Sequence, residues 1–127
     1  MKKIATALFL SSVALLIDAS AQKHTAKSPC YDSHTQLEMN ECADRQFQAA
    51  DTELNRIYKQ VVAKAENDPK LKVAEVSWLK YRDDNCAYEA SMYEGGSMQP
   101  MVYSFCLERM TKARTAELRD QLKEFDK

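Results

Sequence analysis

The 127-residue chain carries 18 basic and 19 acidic residues for a net charge of −1, and 45% of its positions are hydrophobic. That length suffices for one modest core and is short for two. The even charge balance offers no basic footprint for nucleic acid or an anionic membrane, so neither is expected as a partner.

The first 21 residues have the parts of a secretory signal: Lys2 and Lys3, an apolar run from Ile4 to Ile17, and small residues at Ala19 and Ala21. The run is shorter than the ~20 residues that span a bilayer, and Asp18 follows it directly, so cleavage after Ala21 is expected rather than a membrane anchor. Losing Lys2, Lys3 and Asp18 takes the basic and acidic counts to 16 and 18. No cysteine directly follows the cut site to carry a lipid, so the mature chain is expected to be a soluble periplasmic or secreted protein with no membrane anchor.

Residues 22–34 are polar and aperiodic and read as an extended N-terminal arm, which leaves 35–127 as the folded domain. Thr35-Gln36-Leu37-Glu38 fits a capping box, in which hydroxyl and carboxylate each satisfy a backbone N–H at a helix start. Apolar residues then recur at helical spacing through Met39, Cys42/Ala43, Phe47, Ala50, Leu54, Ile57/Tyr58, Val61 and Ala65, predicting a helix over 36–66. Asn67-Asp68-Pro69 stops it and starts the next, with Asp68 as cap and Pro69 at the first position.

The second stripe is Leu71, Ala74, Trp78, Leu79, Cys86, Ala90 and Tyr93, ended by Gly95-Gly96. A third helix opens across Ser97 to Pro100, with Val102/Tyr103, Cys106/Leu107, Met110, Arg114, Leu118, Leu122 and Phe125 on one face. No segment alternates with the period of a strand. The expected fold is all-α, three antiparallel helices joined by short connections.

Four cysteines in an exported chain favour disulfides, and their separations of 12, 44 and 20 do not suit a metal site. Residues equidistant from a tight turn face each other across a helical hairpin. Cys86 and Cys106 are equidistant from Gly96 and should pair, which leaves Cys30 to pin the arm to Cys42. The rival pairing of Cys42 with Cys86 fits worse, because counting from the first turn sets Cys86 opposite Ala49 and Ala50.

Catalytic material is scarce. The histidines, His24 and His34, both lie in the arm, the cysteines are committed to bridges, and no nucleophile elbow, zinc-helix or phosphate-loop motif occurs. Asp83 and Asp84 are adjacent and so point in different directions on a helix, unlike a glycosidase pair. No enzyme activity, cofactor or metal is expected.

Counting across the first hairpin brings Arg82 near Glu53, Asp51 and Asn55, and counting across the second brings Trp78 near Arg114 within cation-π range. Asp51, Asn55, Trp78, Arg82 and Arg114 are therefore expected to organise the core. The candidate partner-binding surface is the loop Tyr93, Glu94, Gly95, Gly96, Ser97, Met98 and Gln99, carried on a disulfide-stiffened hairpin; a glycine cap followed by a helix start accounts for the same residues.

Cys30, Thr35-Gln36-x-Glu38-Met39-Asn40-x-Cys42, Ala50-Asp51-x-x-Leu54-Asn55-x-x-Tyr58, Trp78-x-x-Tyr81-Arg82-Asp83-x-x-Cys86, Gly95-Gly96-Ser97 and Cys106 together resemble the domain family named for the lysozyme inhibitor lipoprotein LprI. The likeness runs from Cys30 to about Leu118. It departs at Glu75, where the family often has glutamine, and at Phe47, where it often has tyrosine. The resemblance implies a helical, exported protein-binding domain, with inhibition of a lysozyme-type muramidase as one function and service as a periplasmic interaction module for another exported protein as the alternative.

Overall fold

The computed structural model describes residues 29–127, so the expected signal segment and residues 22–28 of the expected arm lie outside the described region. A 3-10 turn at Pro29–Asp32 precedes three helices, α1 (Gln36–Lys64), α2 (Pro69–Ser91) and α3 (Gln99–Phe125). No strand occurs among the described residues, in keeping with the all-helical expectation. The arm departs from its expected extended form at Pro29–Asp32. There the chain coils, with Ser33 N–H donating to the Cys30 carbonyl, as fully buried Cys30 turns in to reach Cys42.

Helix α1 begins as expected. The Glu38 N–H donates to the Thr35 hydroxyl, while the Thr35 and His34 N–H groups donate to the Glu38 carboxylate. The backbone hydrogen bond from Thr35, followed by that residue's side chain, holds the Glu38 carboxyl below its ordinary pKa.

Its end comes short of residue 66, because Glu66 and Asn67 both take left-handed conformations, at φ 51° and 63°. The Glu66 N–H then bonds the Ala63 carbonyl and the Asn67 N–H the Val62 carbonyl, the paired bonds of a Schellman motif, with glutamate where glycine is usual. Asp68 caps α2 through the Lys70 N–H at 2.8 Å, with Pro69 at the first position.

Short connections make α2 antiparallel to both neighbours, so α1 and α3 run parallel. Gln36 meets Met101, Glu53 meets Arg119, and Lys64 meets Asp126. This parallel pair is the most extensive packing in the molecule. From α1 it buries Ala43, Ala50, Leu54, Ile57 and Val61. Helix α3 answers with Met101, Ser104, Thr111, Thr115 and Leu118. The small Ser104, Thr111 and Thr115 let the two backbones approach closely, and the Thr115 hydroxyl donates to the Thr111 carbonyl.

Helix α3 therefore buries two faces, one more than the apolar stripe suggested. The second, through Cys106, Leu107 and Met110, packs on α2. Helix α2 in turn buries Glu75, Arg82, Cys86 and Ala90. Ala74 and Tyr93, expected in its stripe, are exposed, as is Phe125 of α3. Ala74 loses its place because the buried seam runs through its neighbour Glu75. Tyr93 lies beyond the last helical residue, Ser91, because turns of the i→i−3 kind replace the expected final helical turn.

Two tests follow from this architecture. Replacing Cys86 and Cys106 together by alanine should lower the free energy of unfolding by about 3 kcal/mol, through the chain entropy released when the loop opens. Urea denaturation of the oxidised protein reads this, and an unchanged midpoint would refute it. The second concerns Glu53, which takes hydrogen bonds from Arg56 at 2.7 Å and from Arg119 across the α1–α3 interface.

The Arg56 hydrogen bond is the main cause holding the Glu53 carboxyl at about 2, against an ordinary 4.5. Because the folded value is depressed, its stabilising contribution is complete above the unfolded value and disappears as pH falls toward 2. Wild-type and Glu53→Gln proteins should therefore differ in thermal midpoint at neutral pH and converge near the bottom of that window. A constant difference across it would show that Glu53 titrates normally.

Candidate functional site

The wedge between α1 and α2, whose backbones hardly approach each other, is filled by large side chains. The Arg82 guanidinium lies 5.3 Å from the Phe47 ring and 5.5 Å from the Trp78 ring, and the Arg114 guanidinium lies 5.8 Å from the Trp78 ring. Phe47, Arg82, Trp78 and Arg114 thus alternate aromatic and cation across three helices.

Each cation has an acidic partner. Arg82 donates to Asp51 at 3.2 Å, to the neighbouring Asp83 at 2.9 Å and to the buried Thr111 hydroxyl at 3.2 Å. Arg114 donates to Glu75 at 2.8 and 3.0 Å and to Glu117 at 2.9 Å. Burial works against the Arg114 charge, but the hydrogen bonds to Glu117 and Glu75 outweigh it and keep its pKa above the ordinary value. Among the described residues, no buried side-chain nitrogen or oxygen lacks a hydrogen-bond partner. Paired and stacked, these groups are a structural centre.

Trp78, Arg82, Arg114 and Asp51 meet as counting across the hairpins suggests. Two expectations need correction. Glu53 turns away to Arg56 and Arg119, and Asn55 is exposed, donating to the Asp51 carbonyl and carboxylate without reaching Arg82. The reason is helical phase: Asp51 sits at the inner edge of α1, and Asn55 one turn on has rotated outward.

Both expected disulfides form, Cys30–Cys42 and Cys86–Cys106, with Cα separations of 5.5 and 5.4 Å. Because α1 and α3 are parallel, the two bridges lie toward the same end of the bundle. The loop Tyr93–Gln99 is at that end, exposed except for the half-buried Gln99.

The loop has little freedom. Gly96 N–H donates to the Tyr93 carbonyl at 2.9 Å, Gln99 N–H to the Gly96 carbonyl at 3.2 Å, and Gly95 N–H to the Gln99 side chain at 3.3 Å. Gly95 is left-handed at φ 73°, and a Cβ on Gly96 would sit 3.1 Å from the Tyr93 carbonyl oxygen, so both glycines serve the loop itself and not the helix end. Asn40 of α1 holds it from below, donating to the Ser97 carbonyl at 3.1 Å while accepting from Gln36 at 2.8 Å. Sequence reasoning missed Asn40, whose role depends on the parallel docking of α1 and α3. Beside the loop, Ala87, Ala90, Gln99, Pro100 and Tyr103 line an open, mainly apolar depression.

A family model described as lysozyme inhibitor LprI matches residues 27–118. The chain belongs to this family. A curated protein of Rhizobium meliloti (strain 1021), described as uncharacterized, is 36% identical over 124 residues, covering 86% of this chain and 89% of its own length. No solved structure matches the chain. The LprI family is described as one of inhibitors, and the motifs first noticed in the sequence now have physical roles. Thr35 and Glu38 cap α1, Gln36 and Asn40 hold the loop, and Asp51, Trp78 and Arg82 build the stack. Among the described residues no helix is long and apolar enough to cross a membrane, and no group of three or more His, Cys, Asp or Glu side chains is placed to hold a metal ion.

Arg114→Met should leave the buried Glu75 carboxylate without its main partner and cost about 3 kcal/mol in urea denaturation. The double variant Arg114→Met/Glu75→Leu should recover most of that loss. Equal destabilisation of the two variants would mean that Arg114 acts through packing alone.

Proposed function

We propose that this LprI-family chain is an exported binding protein that inhibits lysozyme-type muramidases, with the loop Tyr93–Gln99 as a contact element and no catalytic chemistry of its own. Membership of the lysozyme inhibitor family over residues 27–118 carries the reading, since that span contains both disulfides and the whole loop. Three features support it. The expected signal over residues 1–21 and the absence of free cysteines among the described residues suit an oxidising compartment. A loop already tied by its own backbone bonds and by Asn40 loses little conformational freedom on entering a cleft. Its outward side chains, Tyr93, Glu94 and Met98, combine an aromatic, a carboxylate and a flexible apolar group, which together can occupy a polar cleft with apolar walls.

The test uses the oxidised mature chain, residues 22–127, mixed with lysozyme and a cell-wall suspension whose turbidity is followed. Lysis should slow in a saturable, stoichiometric manner, and Tyr93→Ala/Glu94→Ala should weaken the effect while leaving the thermal midpoint unchanged. Undiminished lysis at large molar excess would overturn the inhibitor reading in favour of an interaction module for another exported protein. Export is checked by the N-terminus of envelope-fractionated material, expected at Gln22.

A further inference from the structure

Charge is segregated along this bundle. The end holding both disulfides is built from residues 30–44 and 86–106, and neither stretch contains a lysine or an arginine. Together they carry six carboxylates: Asp32, Glu38, Glu41, Asp44, Glu89 and Glu94. Arg45 and Arg109 stand at the inner margin, the former 4.0 Å from Glu41 and the latter 2.8 Å from Glu89. Every other lysine and arginine of the described residues lies farther along the bundle. Lys23 and Lys27 precede this end in the chain, outside the described residues.

The same end gathers exposed apolar side chains. Leu37, Tyr88 and Met92 are 66%, 71% and 70% exposed, and Tyr31, Tyr93 and Met98 each expose 40% or more. The backbone beneath them is pinned by two disulfides, the capping box and the Asn40–Ser97 hydrogen bond. A rigid platform with exposed tyrosine and methionine and one sign of charge has the composition of an interface rather than of an ordinary solvated surface.

We propose that the whole disulfide-pinned end, and not the Tyr93–Gln99 loop alone, is a docking face for a cationic protein surface, namely a muramidase with lysine and arginine around its cleft. The proposal rests on the inhibitor reading above and adds the partner's chemistry and the extent of the face. The excess of carboxylates over lysines and arginines at this end attracts such a surface over several ångströms and orients its approach, and the apolar side chains supply the short-range contact. Glu94 is the central carboxylate, because among the described residues no ion pair engages it and it stands on the loop between Tyr93 and Gly95.

Two double variants of equal charge change separate placement from net charge. Glu41→Lys/Glu94→Lys alters the docking end, and Glu66→Lys/Glu124→Lys alters the opposite one. Tyr88→Ser/Met92→Ser removes apolar contact with no change of charge. The probe is hen-type lysozyme, with inhibition of cell-wall lysis and direct titration calorimetry measured at low and moderate salt, and circular dichroism confirming the fold of each variant.

The docking-end variants should bind at least about tenfold more weakly, and the opposite-end variant should stay within about twofold of wild type. Affinity of the wild type should fall as salt rises, and the fall should flatten in Glu41→Lys/Glu94→Lys. If the wild type inhibits and all three folded variants do so equally, the docking face is wrong and the inhibitor reading stands. If the wild type does not inhibit, both are overturned. The uncharged variant keeps the test decisive should the lysine variant fail to fold.

Discussion

Two guanidinium groups held against one indole, deep between three helices, set the terms for the rest of this molecule. Arg82 and Arg114 flank Trp78 at 5.5 and 5.8 Å, and neither charge would be tolerated there without Asp51 and Glu75. Each helix supplies a necessary part: Phe47 and Asp51 from α1, Glu75, Trp78 and Arg82 from α2, and Thr111 and Arg114 from α3. An aliphatic α2 seam could slide by a turn with small penalty. A guanidinium hydrogen-bonded to Asp51 and Thr111 cannot, because any shift would leave a charge buried and unpaired. The stack also accounts for the wide separation of α1 and α2, since its rings and guanidiniums occupy the space between them. Phe47 and Glu75 are both members of this array, and each supplies a working contact there.

Beyond the stack, the bundle divides its labour. The end formed by the close of α1 and α3 and the start of α2 is held by Leu54, Ile57, Val61 and Leu118, with Tyr58, Leu71 and Leu122 against them. Ion pairs decorate its surface, and its turn holds Glu66 in a left-handed conformation. The opposite end relies on covalent bonds: Cys86 and Cys106 sit in a small cluster with Leu107, Phe47, Tyr103 and Met110, and the arm is sewn to α1. Disulfides free this second end from having to hide its apolar side chains in a larger core. Tyr88, Met92 and Leu37 can therefore remain on the surface without loss of order beneath them.

Much of this was legible in the sequence wherever the governing relation was local or symmetric about a turn. The capping box, the Asp68-Pro69 helix start and both disulfide pairings depend on short spacings or on equal distances from a bend. The Trp78–Arg114 contact followed from the same counting. The face that α3 turns to α1 was largely invisible, because Ser104, Thr111 and Thr115 are polar and drop out of any stripe drawn from apolar residues alone. Reading positions 101, 104, 111, 115 and 118 as one face would have required knowing that a parallel helix lay close enough to demand small side chains. The support of Ser97 by Asn40 was hidden for the same reason, since the two are brought together only by that parallel docking. Asn55 shows the reverse error: a position counted as inner by sequence distance lies four residues after Asp51, about 40° farther round the helix and on its exposed side.

The parallel pairing of α1 with α3 has a consequence for the order of assembly. The largest interface joins the two helices that are farthest apart along the chain, so its contacts can form only after a long intervening segment has been closed. The α2–α3 hairpin has no such requirement, because its partners are joined by a short, turn-rich connection and can be locked early by the Cys86–Cys106 bond. The hairpin thus presents Arg82, Trp78 and Arg114 as a partly built surface, and α1 completes the domain by laying Phe47 and Asp51 upon it. Where the Cys86–Cys106 bond forms before α1 docks, the covalent hairpin is a template on which α1 completes the fold.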